Sequence, residues 1–210
     1  DYDDALARIE GSSIVQHFNY RLAEKWVATK NIEWKKKRTT VTETLELAKT
    51  NSKLISEITF NPNSGPQLQN LLYDMLNLPV ISFTDTKQPS VDGDTIRSLR
   101  NHTSNQEVID FLDAMSDYAA VVKILNTFIV ALEGSVQGPD GWHYLFGCFN
   151  LGGTVSGRLS SSGPNLQNLP ANGKSPKAKI YAKIIKKCFA PPPGWMFVGL
   201  DFASLEDRIS

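Results

Sequence analysis

Neither proline nor glycine occurs between Ser13 and Thr59, and that property constrains this part of the chain more than any motif in it. Proline removes a backbone donor and glycine weakens a helix by about 1 kcal/mol relative to alanine, so a run of helix formers lacking both predicts one or two long helices. Val15, Phe18, Leu22 and Trp26 recur at helical spacing and supply a packing stripe. The stripe thins from Ile32 to Thr42, where Lys35, Lys36, Lys37 and Arg38 dominate, and that segment is expected to project into solvent.

In residues 60–80, FNPNSGPQLQNLLYDMLNLPV, Ser64 and Gln67 have the spacing of a capping box. Leu68, Leu71, Leu72, Met75 and Leu76 then form one apolar face, ended by Asn77 and Pro79. Asp94 is placed to cap a short helix through Ile96 and Leu99. A longer helix follows, with Val108, Leu112, Met115, Ala119, Val122, Leu125 and Ile129 at the helical period and a stop at Gly134.

Beyond the turn signal Gly138-Pro139-Asp140-Gly141 the character changes. HYLFGCFNL reads as strand, and a loop crowded with Gly, Ser, Asn and Pro comes next. Residues 174–187 hold six lysines and no acid, so they carry more weight as a phosphate-neutralising cluster than the balanced residues near the amino terminus. Pro191 to Gly194 make a firm turn before WMFVGLDF, which reads as a buried strand. The expected fold class is α+β: a mainly helical region, residues 1–134, followed by a region, residues 135–210, that contributes the first strand of an incomplete sheet.

Composition limits the function classes. Acidic and basic residues cancel at 22 each, so attraction to nucleic acid must come from local clusters. Cys148 and Cys188 have no further cysteine partners, which argues against a disulfide framework or zinc site and for a reducing, cytoplasmic setting. No apolar run looks long enough to span a bilayer, no membrane role is expected, and DYDDALARIE is too acidic for a signal peptide. Without an initiator methionine, and with Phe202 to Ser210 resembling the first turns of a helix, the chain reads as an excerpt.

Two spots carry chemistry. Asp201 closes the expected strand just before a helix start marked by Ser204 and Asp207, where an oxygen-loving cation such as Mg²⁺ could satisfy its carboxylate. It could equally be held by backbone N–H groups alone. In residues 154–170, TVSGRLSSSGPNLQNLP, Arg158 sits among small residues that let a phosphate approach, and its guanidinium suits the minor-groove acceptors that all base pairs present. Gln167 and Asn168 add donors, although a plain polar surface loop has the same composition.

FNPNSGPQLQNLLYDMLNLPV, SGRLSSSGPNLQNLP, IKKCFAPPPGW and VGLDFASLEDR, in this order, resemble family A DNA polymerases, the group of bacterial polymerase I and several phage replicative enzymes. The resemblance implies a thumb followed by the start of a palm, with a phage-like flavour in DFASLEDR. It implies that Asp201 binds both catalytic Mg²⁺ ions, with the carbonyl of Phe202 as a further ligand. Glu206 would be the steric gate against ribonucleotides, and Phe202, Ala203, Ser204 and Glu206 would line the dNTP site. Arg158, Asn165, Gln167 and Asn168 would contact primer-template DNA. The reaction implied is attack of a primer 3′-hydroxyl on a dNTP, in the cytoplasm of a cell or of a phage host. The excerpt alone is not expected to polymerise, and a non-catalytic DNA-binding module derived from a polymerase is the alternative.

Several positions depart from the family pattern. Phe202 stands for the usual tyrosine, Ser204 and Asp207 for glutamine and leucine, and Lys186 for an arginine, which weakens a bidentate phosphate contact. Asn172 and its neighbours lack the arginine often found past the Asn-Leu-Pro stretch.

Overall fold

The computed structural model describes residues 1–33, 40–170 and 176–200. The chain divides into two compact units, Asp1–Leu125 and Asn126–Ser210. Among the described residues it is mostly helical, with two small antiparallel sheets.

The first unit opens with α1 (Tyr2–Glu10) and α2 (Ser13–Glu33). The expected continuation as long helix does not occur: α3 (Val41–Ala48) and α4 (Ser52–Ile58) are short. Side-chain acceptors start each of them. Thr40 Oγ1 accepts from the Glu43 N–H at 3.2 Å while Glu43 Oε2 accepts from the Thr40 N–H at 3.0 Å, and Asn51 Oδ1 accepts from the N–H groups of Lys53 and Leu54. Such local bonds give the backbone a better alternative than continuing the previous helix. The basic segment 35–38 lies outside the described residues.

Residues 60–80 fold as α5 (Gly65–Gln69) running into a π-helical turn, Asn70–Met75. Leu68, Leu71 and Leu72 are buried, as the apolar face requires. The capping box does not form. Ser64 occupies the cap position without a side-chain bond, and Gln67 Oε1 reaches past it to accept from the Asn61 N–H at 2.7 Å. Asn77 ends the turn in the left-handed region at φ 53°, one of the few conformations asparagine tolerates better than most residues.

The cap of α6 (Gly93–Leu99) is Asp92, two residues before the expected Asp94. Asp92 Oδ1 accepts from the Thr95 N–H at 2.7 Å and Oδ2 from the Ser90 hydroxyl at 2.7 Å, whereas Asp94 pairs with Arg97. The Ser90 hydroxyl first, and the Thr95 amide next, hold the Asp92 carboxyl below the usual carboxylate range. Tyr73, whose hydroxyl donates to the Ser90 carbonyl, has its phenol pushed up by burial and by the Asp92 charge.

Helix α7 (Gln106–Lys123) lies at the centre of this unit, packed on α1 and α6. Its buried stripe is Val108, Phe111, Leu112, Met115, Tyr118 and Val121, one residue out of step with the expected Ala119 and Val122. Tyr118 is inside because its ring meets Tyr2 at 5.5 Å and its hydroxyl accepts from Asn63 Nδ2. Phe18, Phe60 and Phe111 make a chain of tilted and edge-on rings, with centroids 5.7 and 6.3 Å apart. Contrary to the sequence expectation, the helical stretch Gln106–Glu133 is long and apolar enough by length and composition to cross a bilayer, the one such helix among the described residues.

The second unit includes α8 (Val130–Glu133), which stops at Gly134 as the apolar pattern predicts. The run HYLFGCFNL is not one strand. Its first part, β2 (His143–Tyr144), pairs with β1 (Val136–Gln137), and its last part, β3 (Cys148–Asn150), pairs with β4 (Ser160–Ser162). Gly147, a poor strand former, lies at the break. Helix α9 (Pro176–Lys187) takes up most of the lysine cluster. Residues 195–200, expected as a buried strand, are not strand and are exposed: Trp195 is 75% and Leu200 95% accessible. Apolar alternation specifies a strand only where another strand accepts its backbone bonds, and among the described residues none pairs with it.

Candidate nucleic-acid interface

The motif around Arg158 is built on the β3–β4 hairpin, whose register is Cys148↔Ser162, Phe149↔Ser161 and Asn150↔Ser160. Strand alternation turns Ser161 inward while Ser162 stays exposed. The buried Ser161 Oγ accepts from the Leu166 N–H at 3.1 Å and so ties the chain beyond β4 back onto the hairpin. Asn165 Oδ1 accepts from the Gln167 N–H at 3.1 Å and opens a 3₁₀ turn, Leu166–Asn168. Gly147 permits this approach, because a Cβ there would lie 2.9 Å from the Pro164 carbonyl oxygen and 2.8 Å from Leu166 Cδ1.

Arg158 lies in the connection between the strands and is exposed. The Thr154 hydroxyl donates to the Arg158 carbonyl at 2.7 Å, and Gly157 supplies the left-handed conformation, φ 75°, that the turn before it needs. Gln167 and Asn168 are exposed on the 3₁₀ turn. The hairpin therefore carries Arg158, and a turn bonded to that hairpin carries Gln167 and Asn168. Asn165 differs from them: its side-chain oxygen is engaged in the turn, which leaves its amide Nδ2 as the group able to donate outward.

Nothing in the motif's composition singled out Ser161 as the residue that anchors this turn. Period-two alternation through Ser160, Ser161 and Ser162 could have found it had the strand been read. A small apolar pocket of about 50 Å³ behind the turn is lined by Asn165, Leu166 and Asn168, by Leu145, by Phe128 and Ala131, and by Ile185 and Phe189. Elsewhere in this unit Asp140 accepts from the Tyr144 hydroxyl at 2.5 Å, a bond that lowers the carboxyl and raises the phenol.

Asp201, Phe202, Ala203, Ser204 and Glu206 lie outside the described residues. Among the described residues no three His, Cys, Asp or Glu side chains are grouped to hold a metal.

The family model described as DNA polymerase family A matches residues 32–210. The thermostable DNA polymerase I of Thermus aquaticus is 32% identical over 172 residues, 79% of this chain and 19% of that protein. That of Thermus thermophilus is 35% identical over 151 residues, 71% of this chain and 16% of the relative. The DNA polymerase of Bacillus phage SP01 is 30% identical over 151 residues, 71% of this chain and 15% of the relative. A solved structure, the POL domain of Pol1 from M. smegmatis in complex with DNA primer-template and dNTP, aligns over 85% of this chain and 27% of that one, at 24% identity and a TM-score of 0.43. The chain belongs to DNA polymerase family A. It spans less than a fifth of the length of these three relatives.

Proposed function

We propose that this chain is the segment of a template-directed DNA polymerase that carries the minor-groove contact and the first metal-binding carboxylate. The observation that carries the reading is the family match over residues 32–210, which includes both the Arg158 motif and Asp201. The hairpin geometry supports it: Arg158 is exposed in the hairpin connection, and the exposed Gln167 and Asn168 sit on a turn that Ser161 ties to the same hairpin.

In this reading Arg158 donates to minor-groove acceptors that lie in similar positions on every base pair, so the primer end is held by its shape and not by its sequence. Gln167 and Asn168 add donors from the turn bonded to the hairpin, and Asn165 adds its amide nitrogen. Asp201 and the Phe202 carbonyl are hard oxygen donors, the type that suits Mg²⁺. Mg²⁺ bound there would supply charge neutralisation at the triphosphate and at the attacking primer oxygen. Glu206 would exclude a ribose 2′-hydroxyl, while Ala203 and Ser204 would shape the floor of the dNTP site beside Phe202.

In the full-length protein Asp201→Ala is expected to abolish Mg²⁺-dependent primer extension while primer-template binding is kept, measured by gel extension and by fluorescence anisotropy. Extension surviving in that variant would remove Asp201 from the metal site.

A further inference from the structure

Residues 141–200 contain one arginine, six lysines and not one aspartate or glutamate, in a chain whose acids and bases cancel only over its full length. Five of those lysines ride on α9. Its inward face is apolar, with Ala182 and Ile185 buried. Lys179, Lys183, Lys186 and Lys187 are exposed, and at 100° per residue they fall within one arc of about 100°. Ile185 lines the same small pocket as Asn165, Leu166 and Asn168, so α9 is seated by its buried face behind the turn that bears Gln167 and Asn168, and its lysine arc is turned away from that pocket.

We infer that the outer face of α9 is a second nucleic-acid contact, which holds the phosphate backbone of the primer-template without reading its bases. The inference rests on the polymerase reading and adds a separate site to it. From Lys179 to Lys187 the helix rises about 12 Å at 1.5 Å per residue, enough to face about three phosphates of one strand at their 3.4 Å axial spacing. Ammonium groups on flexible stems suit that task, since they act as point charges with no bidentate geometry to satisfy. The exposed side also carries Ile180 and Ile184, 57% and 53% accessible, which raises a lipid surface as the competing partner. A helix lying in a membrane interface turns a broad apolar face outward, whereas the buried apolar side of α9 faces its own unit.

The test replaces Lys179, Lys183, Lys186 and Lys187 by glutamine in the full-length protein, and separately by arginine. Glutamine removes the charge with little change in helix propensity. Primer-template affinity is measured from 50 to 200 mM salt. Three lost phosphate contacts lower the slope of log affinity against log salt by about 2.7, so across that range the wild type should lose roughly 40-fold more affinity than the glutamine variant. The arginine variant should keep the wild-type slope, which separates charge from misfolding. A salt-dependent wild type and a glutamine variant of unchanged slope would overturn the assignment of α9 alone. Binding to phosphatidylserine vesicles that is lost with the same four lysines, with the DNA slope unchanged, would reassign the face to lipid. A wild type that shows no salt-dependent primer-template binding would overturn the polymerase reading as well.

Discussion

Gly147→Ala is expected to loosen the turn that bears Gln167 and Asn168, with a size that the structure sets. The added methyl would stand 2.9 Å from the Pro164 carbonyl oxygen and 2.8 Å from Leu166 Cδ1, where ordinary contact begins at 3.4 Å. The leucine end can rotate away, but the carbonyl is backbone, so relief requires residues 164–166 to shift by about half an ångström. That is about the tolerance within which a binding constellation must be held. Overpacking of this kind costs about 1–3 kcal/mol, and the smaller unfolded-state benefit of losing a glycine, about 0.4–1 kcal/mol, does not cancel it. The bond from the Leu166 N–H to Ser161 Oγ should open more often, so hydrogen exchange in peptides covering 160–169 of the full-length protein should quicken by about 5–30-fold for a net loss of 1–2 kcal/mol. Primer-template affinity should fall with it. Gly93→Ala is the matched control: nothing lies within 4 Å of a Cβ there, so the same substitution should be neutral or slightly stabilising. If Gly147→Ala left exchange and affinity where Gly93→Ala leaves them, the close approach would not be what positions the turn.

Thr40→Ala removes one half of the capping box at α3 and should cost about 1 kcal/mol locally, read as faster exchange of the Glu43 amide, with Thr40→Ser retaining most of the protection. Asp92 has a folded-state carboxyl below its ordinary value, so its charge contributes stability that is fully present above the unfolded pKa of about 3.9 and is lost as pH falls through the lower folded value. The denaturant midpoint of the wild type should therefore exceed that of Asp92→Asn at neutral pH, and the gap should close on acidification below about pH 4; a gap independent of pH would contradict the sign.

Much of the helical part was legible from composition and period alone, because the feature that makes a helix, an apolar stripe without proline or glycine, is local. Residues 13–33, the leucines at 68, 71 and 72, and the stop at Gly134 all follow from it. The family was legible as well, since the arginine, serines, prolines and amides around Arg158 are a specific string of residue types whatever their arrangement in space.

What the linear order did not contain was competition between partners. Asp92 and Asp94 are equally good caps on paper, and Ser90 decided between them by donating to one. Gln67 could serve Ser64 or Asn61, and only the fold of the turn placed the Asn61 amide in its reach. Tyr118 displaced Ala119 from the core because Tyr2 and Asn63 meet it there. Residues 195–200 alternate like a strand, yet a strand exists only where another backbone accepts its bonds, and that is a property of chain segments brought together, not of any one of them.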